Sequence, residues 1–420
     1  MKPSATGVRS EWDAKLEALP KLDSLDVRNK KVFVRVDMNV PVGREDSSQP
    51  IIMDTAKIEQ ATKTIETLLE EGAAVIVGTH QGRPGSPDFI STEAHAKILS
   101  HILENVEVKW TDSVVGKSAR EEIKRLQPGE VLFLENLRFH SEENLEADPR
   151  ELVNTHMIRR LAPLIDAYVN DAFQAAHRSQ PSLVAFPLLK PSAAGNLMVT
   201  MLKELSEINR IGGKGLFALG GSKLEDKIKV MDAALRKGLV EEILTGGLLG
   251  VLIAEAAGYR VPQSASTYRK KEILLPAAKR LLTDFEGRIL YPVDFVVLEP
   301  SGDVGLAPVY NIPDGATIVD IGPGTVGIYA DRVEDADLVV ANGPMGVFEN
   351  PRFRKGTLEF VKACSRARIE AVLCGGHLSV AAKMTGVEGR IYTAGGAILY
   401  ALAGLPLPAV DALVRKVSSP

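Results

Sequence analysis

The sequence predicts an α/β protein whose parallel sheets are covered by helices, divided into two domains with different recognition chemistry. Three observations carry this. Short apolar runs alternate with longer helix-like stretches along the whole chain, the βαβα pattern of parallel sheets. The residues that close these runs differ between the two halves. The length, 420 residues, accommodates two or three domains of ordinary size.

In the first half the runs are VFVRVDMN, AVIVGTHQGR, VLFLENLRF and AYVNDAF. They end in Asp37, Asn39, His80, Arg83, Asn136, Arg138, Asn170 and Asp171. Ligands of open α/β sheets bind outside the carboxyl ends of strands. Arg83, Arg138 and Arg178 follow three different strands, with His80 and His177 close to two of them. The planar fork of arginine suits phosphate or carboxylate. One such arginine reads as a surface ion pair; three at equivalent positions point to a small, multiply anionic substrate. His95, His101, His140 and His156 have no ligand spacing and read as structural or exposed. The charge run SEENLEADPRE reads as a solvated face or loop.

Pro187, Pro191 and Gly195 interrupt the segment before a helical pattern, which reads as the connector. The first domain is placed at 1–190 and the second at 203–405.

In the second half the runs are GLFALGGSK, EILTGG, ATIVDIGPG, LVVANGPMG and AVLCGGH, closing in glycines. Bare backbone N–H groups at helix starts are where phosphates settle. A helix starting near Ser222 puts Lys223 and Lys227 on one face; alone, these read first as a solvated lysine face. Gly343, Pro344 and Gly346 shape a loop that leads to Glu349, a candidate acceptor for ribose hydroxyls. The glycine pairs of VLCGGHLS and IYTAGGAIL repeat the strand, glycine pair, helix design. Several such ends together read best as one nucleotide-phosphate site. The turn Gly322–Gly327, GPGTVG, satisfies the dinucleotide fingerprint, but no acid closes the next strand; Asp337 precedes it. An ordinary turn is the favoured reading, with a nicotinamide-dependent dehydrogenase as the alternative.

The net charge of −4 and the pI near 6.1 argue against a nucleic-acid or membrane-surface partner. Cys364 and Cys374 make no disulfide framework, metal motif or redox motif. The N-terminus shows no apolar signal core, and no run approaches the ~18 residues of a membrane span. A soluble, cytoplasmic protein is expected, either monomer or homodimer.

Taken as a set, RVDMNVPV, THQGRPG, FLENLRFHSEEN, YVNDAFQAAHRS, GGSKLEDKI, DIGPGT, NGPMGVFE and GGH resemble the phosphoglycerate kinase family, in that family's order. THQGRPG, GGHLS and TAGGA are most similar to its archaeal branch. The resemblance runs from about Leu22 to LPAVDAL, with the preceding residues as an extension. It implies two Rossmann-like, doubly wound domains joined by a hinge helix across a cleft, with residues 406–420 returning to the N-terminal domain. It also implies magnesium-dependent transfer between 1,3-bisphosphoglycerate and ADP, giving 3-phosphoglycerate and ATP.

Carried over by position, Asp37, Asn39, His80, Arg83, Arg138 and Arg178 bind 3-phosphoglycerate. Lys223 accompanies the transferred group, and Gly395 and Gly396 match a helix start that donates N–H groups near it. Lys227, Asn342, Glu349 and the segment Gly375, Gly376, His377, Leu378 bind the nucleotide. Two positions depart from the pattern. Lys57 stands where an arginine is usual, keeping the charge without the fork. His377 stands where many members have aspartate, and magnesium prefers oxygen. The metal ligands therefore stay unassigned. No general base is expected, because the attacking carboxylate is already ionised.

Overall fold

The computed structural model describes residues 11–45, 49–211, 214–262, 268 and 270–415. These form two compact units, 11–206 with 406–415, and 207–405.

The first unit contains β1 (Lys31–Arg35), the hairpin β2 (Val42–Glu45) and β3 (Gln49–Ile52), β4 (Ala74–Gly78), β5 (Val108–Trp110), β6 (Val131–Phe133), β7 (Ala167–Asn170) and β8 (Ser192–Ala194). Six strands make one sheet in the order β5-β6-β4-β1-β7-β8. Every pairing in it is parallel. Val32, Phe33 and Val34 of β1 and Val75, Ile76 and Val77 of β4 are fully buried, as expected of strands covered on both faces. Helix Ala56–Glu70 lays Ile58, Ala61, Ile65 and Leu68, spaced three and four apart, into that core. Burying each of the larger of these side chains contributes about 1.5–3 kcal/mol.

The second unit contains β9 (Gly215–Leu219), β10 (Glu242–Thr245), β11 (Ile289–Leu290), β12 (Asp294–Leu298), β13 (Val304–Pro308), β14 (Thr317–Ile321), β15 (Leu338–Asn342), β16 (Glu370–Cys374) and β17 (Arg390–Tyr392). Its main sheet, β11-β10-β9-β15-β16-β17, is again wholly parallel. The expected α/β class with two parallel sheets is therefore present. One run departs from it. ATIVDI is β14 of a separate antiparallel sheet, β13-β12-β14, so the GPGTVG turn does not close a strand of the parallel sheet.

In each main sheet the chain starts near the middle, builds one side and then crosses to the other. The order reverses beside β1 in the first sheet and between β9 and β15 in the second. The carboxyl ends of strands at such a reversal leave a crevice. Helix Asn196–Asn209 carries the chain out of the first unit. Its start is tied down there: the Thr64 hydroxyl and the Met198 N–H donate to Asp171 at 2.7 and 3.0 Å, and Asn196 N–H donates to Thr64 at 2.9 Å. Burial raises the Asp171 carboxyl to about 6 despite these donors.

Near the C-terminus, helix Pro408–Val414 packs within the first unit. Ala409 N–H donates to Ala176 O at 3.2 Å, and Lys15 pairs with Asp411 at 2.9 Å. Residues 416–420 of the expected returning segment lie outside the described residues.

Candidate functional site

In the first unit the loops after β1, β4 and β6 are stitched side by side. Met38 N–H donates to Thr79 Oγ1 at 2.9 Å, Val40 N–H to Gln81 Oε1 at 2.9 Å, and Gly82 N–H to Asn39 Oδ1 at 2.9 Å. Asn136 then donates to Gln81 O at 2.7 Å and accepts from Gln81 N–H at 3.2 Å. Each loop thus satisfies its neighbour's backbone groups, which fixes where their side chains emerge.

Lys57, in the first turn of its helix, turns back onto the β1 loop. Its Nζ donates to Asn39 O at 2.9 Å and meets Asp37 Oδ1 at 3.3 Å. Burial pushes the Asp37 carboxyl up, but Lys57, the Asn39 N–H and Arg35 hold it well below the usual carboxylate range. Arg138 is buried and donates to Gly82 O. Burial, with Arg35, Arg178 and Arg83 as like-charged neighbours, lowers it to about 10. Arg178 pairs with Glu146 at 2.9 Å, while Arg83 is exposed and has no ion pair among the described residues. Cations outnumber nearby acids, so the cluster lacks the negative charge that an anion would bring.

Sequence reasoning missed two members of this unit. Arg35 closes β1 and is fully buried, as is Glu143 from the charge run read as solvated. Their charges lie 3.6 Å apart. Arg35 also donates to His80 Nδ1 at 3.1 Å. The available signal was an arginine inside an apolar run, which needs a buried acid to be tolerated. Of the four histidines set aside, His95 is fully buried, with burial lowering it to about 4. His140 stacks on His156 with ring centroids 6.0 Å apart.

In the second unit the strand-end loops meet backbone to backbone. Gly220 and Gly221 N–H donate to Asn342 O and Pro344 O at 2.9 and 2.8 Å, and Gly247 N–H to Met345 O at 2.7 Å. A Cβ on Gly220 would stand 2.2 Å from Pro344 O, so only glycine permits this approach. Helix Leu224–Arg236 begins after Lys223, two residues later than expected. Lys223 is exposed, but Lys227 is buried and donates to both the backbone and side-chain oxygens of Asn342. The pair is therefore not one solvated face. Burial lowers Lys227 to about 7.

Asn342 donates onward to Cys374 O at 3.1 Å. Helix Gly376–Thr385 starts beside it with the N–H groups of Gly376, His377 and Leu378 pointing past its first turn. The Leu378 side chain is fully buried in the core, leaving only its backbone for a ligand. Gly375 N–H donates to Tyr392 O at 2.7 Å, joining the β16 and β17 loops. At the start of helix Gly395–Leu402, Gly395 is pressed against Asn342 and its N–H donates to Thr393 O at 2.9 Å. Gly396 is exposed, and its N–H has no acceptor among the described residues. Glu349 meets His377 Nε2 at 3.0 Å.

The GPGTVG turn carries no free anion site. The Asp294 carboxylate accepts Gly324 N–H at 2.9 Å and Thr325 N–H at 2.7 Å, closing the start of helix Pro323–Asp335. A ligand phosphate would have to displace that charge. The dehydrogenase alternative has no support from this turn.

Cys364 and Cys374 are free and buried, and no helix among the described residues is long and apolar enough to cross a membrane.

Comparison with known proteins agrees with the motif order. A profile of the family described as phosphoglycerate kinase matches residues 22–405. The chain is 40% identical over 403 residues to the phosphoglycerate kinase of Sulfurisphaera tokodaii, covering 94% of this chain and 95% of that one. It is 41% identical over 399 residues to that of Methanothermobacter thermautotrophicus, covering 93% and 96%. The crystal structure of phosphoglycerate kinase from Pyrococcus horikoshii is similar with a TM-score of 0.80 at 38% identity, covering 94% of this chain and 98% of that one. The structure from Coxiella burnetii gives 0.70 at 28%, covering 95% and 100%.

Proposed function

The chain belongs to the phosphoglycerate kinase family, and from that premise we propose how its two residue sets divide the work. The reaction is reversible phosphoryl transfer between 1,3-bisphosphoglycerate and ADP, giving 3-phosphoglycerate and ATP. In the reverse direction a carboxylate oxygen of 3-phosphoglycerate bonds to the γ-phosphorus as the bond from phosphorus to the bridging oxygen of ADP breaks. No proton has to be removed from the attacking group, so positioning and charge stabilisation are what the protein supplies.

The first unit binds 3-phosphoglycerate. Arg83, Arg138 and Arg178 take its phosphate, while Asp37, Asn39 and His80 direct its hydroxyl and carboxyl ends. Lys57 holds the Asp37–Asn39 loop and offers its remaining N–H to the carboxyl side. The observation that carries this reading is the gathering of Arg35, Arg83 and Arg178 about the buried Arg138. The second unit binds the nucleotide. Lys227 and the N–H groups of Gly376, His377 and Leu378 meet its phosphates, and Glu349 with Asn342 meets the ribose side. Lys223 follows the group in flight, and Gly396, whose N–H is uncommitted, donates to it in preference to Gly395.

The nucleotide enters as its magnesium complex. Among the described residues no three histidine, cysteine or acidic side chains gather as a metal site. An imidazole at position 377 is a poor partner for magnesium. The ion would then rest mainly on the nucleotide phosphates and water, or on another acid. Each chain carries both residue sets, so monomer and homodimer are equally competent. The buried free thiols suit a reducing cytoplasm.

One coupled assay tests the reading: acyl phosphate formed from ATP should depend on 3-phosphoglycerate. ATP consumption without that dependence would overturn it.

A further inference from the structure

Arg35 is a fully buried cation at the end of an apolar strand. Leaving it unpaired there would be strongly destabilising. Four groups receive it. Nε donates to Ser182 Oγ at 2.7 Å, Nη1 to Val36 O, and Nη2 to His80 Nδ1 at 3.1 Å, with Glu143 Oε1 3.6 Å from Nη2. Glu143 is held in turn: Ser182 gives it both its hydroxyl, at 2.5 Å, and its N–H, at 3.1 Å. Ser182 Oγ thus accepts from Arg35 and donates to Glu143.

A guanidinium only donates. His80 Nδ1 must therefore accept, and in the neutral ring the proton sits on Nε2. That atom has no protein partner among the described residues, yet it is not sealed off; His80 keeps 4% of its surface exposed. Protonating Nδ1 would break the bond to Arg35 and place two cations side by side. The charged groups that act on the ring are Asp37 and Arg35 from β1 and its loop, Lys57 from the following helix, and Arg138 from beyond β6. Burial first, then Arg35, Arg138 and Lys57, press the imidazole well below its ordinary range, against the pull of Asp37.

We propose that Glu143, Ser182 and Arg35 form a positioning relay that fixes His80 as its neutral Nε2–H tautomer. The substrate then meets a directed, uncharged donor at His80, while the arginines supply the positive charge. A neutral donor discriminates by direction; a cation there would attract any anion. Second-layer partners fix the tautomer of metal-bound histidines in the same way. The proposal rests on the reading of His80 as a 3-phosphoglycerate ligand.

The test is ¹⁵N-histidine NMR of the full-length protein, with the His80 signals identified by their loss in His80→Gln. Without substrate, Nδ1 should show the unprotonated and Nε2 the protonated shift, unchanged between pH 6 and 8. Adding 3-phosphoglycerate should move the Nε2 signal, and ATP alone should not. Arg35→Lys keeps the charge but not the fork. It should yield mixed tautomers and a KM for 3-phosphoglycerate that varies across that pH range. A wild-type ring protonated on Nδ1, or titrating between pH 6 and 8, would overturn the relay even if Arg35→Lys does not fold. An Nε2 signal indifferent to 3-phosphoglycerate would overturn the donor role. Failure of the kinase assay with the tautomer intact would overturn the functional reading and leave the relay standing.

Discussion

The Lys227 Nζ donates to both oxygens of Asn342, the backbone carbonyl at 2.9 Å and the side-chain amide. Two neutral dipoles do not replace a counter-charge. Burial lowers Lys227 to about 7; Cys374 nearby raises it, Lys223 lowers it and Asp226 raises it. The free protein therefore holds a lysine poised to gain a proton when a phosphate arrives.

The sign of the pH effect follows. The unfolded chain keeps this proton up to its ordinary value of 10.5, the folded chain only to about 7. Between those values the unfolded state binds more protons, so the free protein gains stability as pH rises through the window. A bound nucleotide triphosphate raises the folded value. At pH 8.5, calorimetry in two buffers of different ionisation enthalpy should show uptake of close to one proton per nucleotide, vanishing below pH 6. Lys227→Met should abolish the uptake. Heats that do not depend on buffer in the wild type would mean that Lys227 is already charged.

Lys223 and Arg178 separate turnover from binding. Lys223 stands exposed just before helix Leu224–Arg236, while Arg178 lies beyond β7 with Glu146 as its resting partner. Lys223→Ala should lower kcat by about 10²–10³-fold, the cost of one transition-state donor, with KM values little changed. Arg178→Ala should raise chiefly the KM for 3-phosphoglycerate. Steady-state kinetics on both substrates decides; equal effects of both changes on both parameters would dissolve the division of roles.

What the sequence made legible follows from the physics of each element. Parallel strands buried on both faces read as apolar runs, and the polar residues that end them were visible because the runs stop there. Direction of pairing was not visible: β14 reads like any other run, although ProSerGlyAsp between β12 and β13 is a hairpin cue for its sheet. Arg35 and Glu143 escaped because an arginine inside an apolar run does not say which acid it meets, and Glu143 looks like one acid among acids. Only their 3.6 Å separation, across 108 residues of sequence, gives them meaning. Asp294 escaped likewise; it lies 30 residues before the turn it closes.

Lys57 bears on whether lysine replaces the usual arginine. Its Nζ spends donors on Asn39 O and Asp37, which leaves one of three for substrate. Lys57→Met removes the loop's anchor and one of the groups that hold Asp37 low, and should cost about 10²-fold in kcat/KM for 3-phosphoglycerate. Lys57→Arg should keep far more activity than Lys57→Met. Equal losses in kcat/KM from the two changes would show that the Nζ geometry, rather than the charge, is what the site requires.

His377 meets Glu349 at 3.0 Å, with its ring edge-on to Phe348 at a centroid distance of 5.7 Å. The imidazole thus steadies a carboxylate read as the ribose acceptor. His377→Asp would replace that contact with like charges and place an oxygen ligand near the nucleotide phosphates. Two opposed effects should appear. The KM for ATP at saturating magnesium should rise by about tenfold or more as Glu349 swings away, because a hydrogen bond to a charged acceptor is worth ~1.5–3 kcal/mol. Activity should also depend more steeply on free magnesium, because the ion gains a protein ligand. Titrating magnesium at fixed ATP separates the two. Loss of all activity would mean that His377 has a task beyond holding Glu349.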